Sequence, residues 1–274
     1  MINFLRTHWQ LILVIFTWLA VGYYFQQAVF LMLPLSVFFF KERDLWPEMF
    51  FGMLIVFVLS DIEKDMFVKM IVFKDAKNFY VLAVAMLFFL ETKRFAPLSQ
   101  VFTIFLPFFI YSIFPLVFSN SVVTAVQKTL SYALIYLLVP NFMLYSYRRW
   151  GWDFMRNLVF FMVAILLYGF VMQMQNPIYS HVAGRFRGIF GNPNGMAIYC
   201  YLLLTLAGVI SSIKKDLFTW HEKVMVFGTI IYFIIASGSR ASLTSAAIFI
   251  VFNRFFSTSP FIGFVGLVSL IMAA

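Results

Sequence analysis

The chain has 274 residues, 63% of them hydrophobic and 11% charged, where soluble domains have roughly 45–50% and about 25%. Its mean hydropathy of +0.94 excludes a soluble enzyme. No gap is long enough for a separate soluble domain. The formal charge of +9 would point to nucleic acid in a soluble protein. Here Lys and Arg gathered in cytoplasmic loops account for it, so no nucleic-acid partner is expected.

The predicted architecture is all-α: one polytopic transmembrane helix bundle over 1–274, with about 11 spans. A spanning helix needs about 20 mostly apolar residues. Residues 9–40 carry no charge and are too long for one ordinary span, so two short helices with a turn near Tyr24–Gln27 are expected. No small-residue cleavage site follows Arg6, and the first helix is expected to be a retained anchor. Further spans are expected at about 46–60, 78–90, 96–118, 121–146, 155–173, 195–213, 223–237, 241–253 and 260–274.

With the N-terminus inside, alternation places Arg6, Lys41, Arg43, Lys93, Arg94, Arg148, Arg149, Arg156, Lys214, Lys215, Lys223 and Arg254 on the cytoplasmic side. Every short inside loop is then positive, as the positive-inside rule requires. Outside fall Lys64, Lys69, Lys74, Lys77, Lys128, Arg185, Arg187 and Arg240. The first four are balanced by Asp61, Glu63, Asp65 and Asp75. Ile62, Met66, Phe67, Met70 and Ile71 recur there at helical spacing, which fits either an amphipathic helix on the outer surface or a solvated connector. Lys128 lies near the outer end of its helix and can snorkel. The three outer arginines remain, with no acidic neighbour in sequence.

They sit in two Gly-rich polar turns. The first runs Gly184-Arg185-Phe186-Arg187-Gly188-Ile189-Phe190-Gly191-Asn192-Pro193-Asn194-Gly195, and the second is Ser237-Gly238-Ser239-Arg240. Pro193 disfavours a helical Asn192, so Asn194 is expected to cap a helix starting at Gly195. Ser239 is expected to cap the helix starting at Arg240. Free amides and a positive dipole end make helix N-termini phosphate sites. Arginine suits the task because its planar fork grips two oxygens. Arg185, Arg187, Asn192, Asn194, Ser239 and Arg240 are therefore the candidate diphosphate-binding residues. The competing reading makes these ordinary turns with lipid-anchoring arginines.

His181, four residues before Arg185, reads as a loop histidine. His8 and His221 read as surface residues on the inner side. Cys200, the one cysteine, reads as packing. No residue cluster has metal-ligand spacing, so no metal or other cofactor is expected. No catalytic residue is identifiable.

These turns resemble the O-antigen ligase family of bacterial membrane glycosyltransferases, with its related polymerases and protein O-oligosaccharyltransferases. Arg185-Phe186-Arg187-Gly188, Phe190-Gly191-Asn192-Pro193-Asn194 and Ser237-Gly238-Ser239-Arg240 carry the resemblance, and the hydropathy pattern agrees over about 10–254. It implies transfer of a glycan from undecaprenyl diphosphate to a periplasmic acceptor, lipid A core for ligases. The implied reaction is metal-independent and inverting. Membrane lipids and the bacterial inner membrane are the implied surroundings, with the site facing the periplasm. In the family a histidine in a large C-terminal periplasmic loop activates the acceptor. No residue here matches it, and the chain resembles the N-terminal two-thirds of such a protein. The other readings are an O-antigen or exopolysaccharide polymerase, a transporter of anionic lipid or solute, and a non-catalytic membrane subunit.

Overall fold

The computed structural model describes residues 6–62, 68–91, 95, 98–119 and 121–273. The chain is nearly all helical. In order it forms α1 (Trp9–Tyr24), a 3-10 turn (Gln26–Ala28), α2 (Val29–Glu42), α3 (Trp46–Ser60), a second 3-10 turn (Val68–Ile71), α4 (Val72–Leu90) and α5 (Leu98–Val117). The stretch Val122–Gln175 is broken at Gly151, whose φ of 59° and ψ of −140° are not helical; its halves are α6 (122–150) and α7 (152–175). A short α8 (Pro177–Ser180) leads to β1 (His181–Val182) and β2 (Arg185–Phe186). Then come α9 (Pro193–Ile213), α10 (Trp220–Ala236), α11 (Arg240–Thr258) and α12 (Pro260–Ala273).

The expected turn after Tyr24 is Phe25 with its 3-10 turn, and each of the other expected segments lands on a helix. Several boundaries differ: α11 runs to Thr258 rather than about 253, and two helix starts have a clear local cause. α4 starts at Val72 rather than near 78, because Phe73, Ala76 and Tyr80 recur at helical spacing and are all buried. Lys74 and Asp75 ride the exposed face of those first turns. From Val72 onward this replaces both readings of 61–78, a surface helix or a solvated connector; residues 63–67 of that segment lie outside the described residues. Likewise α10 starts at Trp220, three residues earlier than expected, because Thr219 and Glu222 form a reciprocal capping box.

Three stretches are long and apolar enough to cross a membrane: Lys128–Gln175, which contains the break at Gly151, Pro193–Ile213 and Arg240–Thr258. α1, α3 and the start of α12 are shorter and also apolar. Large apolar side chains face outward on many helices; Phe16 is 68% and Tyr111 74% exposed. A soluble monomer rarely shows more than a few hundred Å² of contiguous apolar surface, so this exterior fits an apolar surrounding.

The chain divides into two compact units, 1–61 with 67–154, and 62–66 with 155–274. In the first, the Tyr80 hydroxyl donates to the Met49 carbonyl at 2.8 Å, and Trp18 meets the Tyr80 ring edge-on. α2 ends with Asp44 at φ 56°. Its amide bonds Lys41 and the next amide bonds Phe40, a Schellman closure with Asp44 in the left-handed position. The Asp44 carboxylate accepts from Arg149 and from Trp46 Nε1. His8, expected at the surface, is instead buried with Glu48, its Nδ1 2.7 Å from Oε1. Two polar groups on neighbouring helix starts satisfy each other and so enter the core together.

In the second unit, the Tyr199 hydroxyl of α9 donates to the Met162 carbonyl of α7 at 3.0 Å. Arg156 of α7 ion-pairs with Glu222 of the α10 capping box. Cys200 is fully buried, as a packing residue should be. α12 folds back along α11, with Gly263 against the Phe256 backbone.

Candidate functional site

The first Gly-rich turn is a small hairpin followed by a helix start. β1 and β2 pair antiparallel, with His181 opposite Phe186 and Val182 opposite Arg185. The two residues between, Ala183 and Gly184, have φ of 50° and 75°. Both values are positive, as a type I′ hairpin turn requires. Phe186 then stacks on Phe233 of α10, ring centroids 5.3 Å apart, which fixes the hairpin to the helix that leads into the second turn.

α9 starts at Pro193, and its cap is Asn192, not Asn194 as expected. Asn192 has the extended φ −150° and ψ 155° of an N-cap, and its side chain accepts from the Gly195 amide at 2.7 Å. Proline at the first helical position has the right φ and no amide to waste. The extended residue that Pro193 enforces is thereby the cap itself. Asn194, one turn position later, keeps its side chain free for another partner.

That partner is Arg185. Its Nη2 donates to Asn194 Oδ1 at 2.7 Å, and its Nε donates to the Ser237 carbonyl at 2.7 Å. One half-buried guanidinium thus joins the first turn to the second, 52 residues on. Gly238 makes room for it. Its φ is +61°, and a Cβ there would sit 3.2 Å from Arg185 Nε and 3.3 Å from Cγ.

Arg187 points inward. It is 7% exposed, and it donates from Nε to the Tyr179 carbonyl at 2.9 Å and from Nη1 to the Gly191 carbonyl at 3.3 Å. Its own amide bonds the Ser180 carbonyl. Arg187 therefore braces the 179–191 segment from inside.

The second turn departs from expectation in one respect. Ser239 occupies the N-cap position of α11 in extended conformation, yet its side chain makes no capping bond. Its hydroxyl donates to Ser242 Oγ at 3.3 Å, and its amide is taken by Ser237 Oγ at 3.2 Å. The Ser237 hydroxyl in turn donates to the Ile234 carbonyl. This serine chain turns Ser239 away from the amides of the first α11 turn. Arg240, the first residue of α11, is exposed and has no side-chain partner among the described residues. A cation in a first helical turn is electrostatically unfavourable without an anion beside it.

His181 is tied into the hairpin. Its Nδ1 lies 2.9 Å from Ser180 Oγ and 3.0 Å from the Pro177 carbonyl, and its ring meets Phe186 at an edge. His221 is exposed. No group of three or more metal-ligating side chains occurs among the described residues.

The six residues singled out in sequence therefore come together at one end of α9–α11 with different jobs. Asn192 caps, Arg185 and Asn194 tie the two turns, and Arg187 braces. Ser239 closes the turn, and Arg240 is the uncommitted charge. The hairpin is the element that sequence reasoning missed; its one signal was Gly184, which the left-handed turn position favours. The chain matches no family model, no curated protein and no solved structure.

Proposed function

We propose that the protein is a multi-pass component of bacterial cell-surface polysaccharide assembly, with about 11 spans in the inner membrane. Its Gly-rich turns would face the periplasm and hold the diphosphate of an undecaprenyl diphosphate-linked glycan. The resemblance to O-antigen ligases supplies the reaction class, transfer of that glycan to an acceptor such as lipid A core. A polymerase would share the donor and differ only in the acceptor.

The observation that carries this reading is the Arg185 bridge. Two turns far apart in sequence are drawn into one structure. The starts of two helices, α9 and α11, then lie at the same end with Arg240 exposed between turn and helix. Unpaired amides, two positive dipole ends and a free guanidinium form a site for a diphosphate. Negative charge builds on the diphosphate as it leaves the glycan, and fixed donors there lower the barrier. Each such donor is typically worth about 100- to 1000-fold in rate.

Burial of Arg187 divides the arginines. Arg240 is the gripping residue, Arg185 orients the two turns, and Arg187 supports the loop without meeting the ligand. Binding of undecaprenyl diphosphate to the chain in nanodiscs, read by native mass spectrometry, tests this. Wild-type protein should retain the lipid, and Arg240→Gln should lose most of it with unchanged unfolding temperature. Equal retention by both proteins would remove the diphosphate role and leave lipid anchoring.

A further inference from the structure

At the other end of the same three helices, α9, α10 and α11 enclose a cleft of about 720 Å³. That is within the roughly 300–1,000 Å³ usual for ligand pockets. α10 and α11 are joined by the short Ser237–Ser239 turn, so they are held together there. α9 packs along both of them, while they barely touch each other. The group is a V, closed at the Arg185 end and open at the end where α9 stops and α10 begins.

The lining is divided by chemistry. Away from the charged end the cleft is lined by Gly208, Phe249 and Ile231. Gly208 lets the Phe249 ring approach so closely that a Cβ would sit 2.8 Å from it. At the mouth stand Lys215, Lys223 and Arg254. Lys223 spends one donor on the Lys215 carbonyl at 2.9 Å. The side chains of Lys215 and Arg254 have no partner among the described residues. No carboxylate lines the cleft; of the acids beside it in sequence, Asp216 follows Lys215 outside the lining, and Glu222 is engaged by Arg156 and Thr219. The Ser211 hydroxyl also lines it and is buried without a hydrogen-bond partner.

We infer that this cleft binds an anionic phospholipid, its phosphate between Lys215, Lys223 and Arg254 and one acyl chain over Gly208 and Phe249. Charge decides the class of lipid. With no carboxylate in the lining between the three cations, an anion placed there lowers their mutual repulsion, and a zwitterionic headgroup brings its own cation. The apolar floor decides for a lipid over a free phosphate. The positive-inside rule assigns this end to the cytoplasmic leaflet, whose negative surface attracts basic groups at about 1 kcal/mol each. The inference does not depend on the diphosphate reading of the opposite end.

The test is native mass spectrometry of the detergent-purified chain titrated with phosphatidylglycerol or phosphatidylcholine. Wild type should retain phosphatidylglycerol in preference. Lys215→Gln with Arg254→Gln should weaken it about 25-fold, or about fivefold per cation at about 1 kcal/mol each. Each single variant should show its fivefold share, so the outcome does not hang on the double variant folding. Millimolar inorganic phosphate should not displace the lipid. Equal retention of the two lipids, full displacement by phosphate, or an unchanged preference in both single variants would each overturn the proposal. Arg240→Gln should leave phosphatidylglycerol binding intact, which separates failure here from failure at the diphosphate site.

Discussion

The two ends of the α9–α11 group carry the same kind of charge and spend it differently. At the Gly-rich end, Arg187 and Arg185 turn into the protein and donate to carbonyls of Tyr179, Gly191 and Ser237. At the opposite end, Lys215 and Arg254 stay at the mouth of a cleft. The reason lies in the backbone. An irregular turn leaves carbonyls without helical partners, and a long planar donor nearby is drawn to them. At the far end Lys215 stands just past α9 and Arg254 on α11, where the backbone carbonyls are taken up within the helix and offer a long donor less. A run of arginines in a glycine-rich turn is therefore first a folding device, and only the guanidinium left over is available to a ligand.

Mutation can break that comparison. The largest effect is expected at Arg187, where methionine keeps the length but takes the guanidinium donor from two part-buried carbonyls. Stability should fall by about 2–4 kcal/mol, measured by denaturant unfolding in detergent. Arg240→Met and Arg254→Met should stay within about 0.5 kcal/mol, as exposed, unpartnered side chains do. Equal losses at all three would erase the distinction between spent and free charge.

Next is Gly238→Ala, which forces a left-handed backbone on a residue with a Cβ at about 1–2 kcal/mol. It also crowds Arg185. Hydrogen exchange at the Asn194 and Gly195 amides should quicken with it, because the bridge transmits the displacement; unchanged exchange there would mean the two turns are not mechanically joined.

The capping assignment sharpens the picture further. Asn192→Ala should cost about 1 kcal/mol, and Asn194→Ala less, since only its bond to Arg185 is lost. The reverse order would restore Asn194 as the cap. The smallest effect belongs to Ser239→Ala, expected within about 0.5 kcal/mol because no capping bond is lost. A loss near 1 kcal/mol would show that the hydroxyl does cap α11.

Much of this fold was legible in sequence. Long apolar runs interrupted by Gly, Pro and charge marked α3, α9 and α12 to within a few residues, because such segments have no other way to satisfy their backbone. α4 was read short because Lys74, Asp75 and Lys77 mask the buried stripe of Phe73, Ala76 and Tyr80. The candidate residues were legible as a group, while their individual jobs were not. Arg187 bonds carbonyl groups, and a carbonyl leaves no mark on the sequence. The His8–Glu48 pair joins residues 40 apart whose meeting depends on how helices pack. Asn192 was the exception. The proline rule that identifies it as the cap was readable, and the plainer N-cap preference for an asparagine before glycine pointed to Asn194 instead.

The Arg185 bridge has a consequence for how the protein is made. Asn194 is synthesised only 9 residues after Arg185, but Ser237 follows it by 52. At about 5–20 residues per second, the ribosome keeps the guanidinium waiting some 3–10 s for its second partner. Through that interval α9 has its Asn192 cap and its Arg185–Asn194 clasp, while the hairpin has no anchor on α10. The Gly-rich end is thus the last part of this region to close. A stall or truncation anywhere between Asn194 and Ser237 leaves α9 with its start formed and the bridge to the second turn unmade.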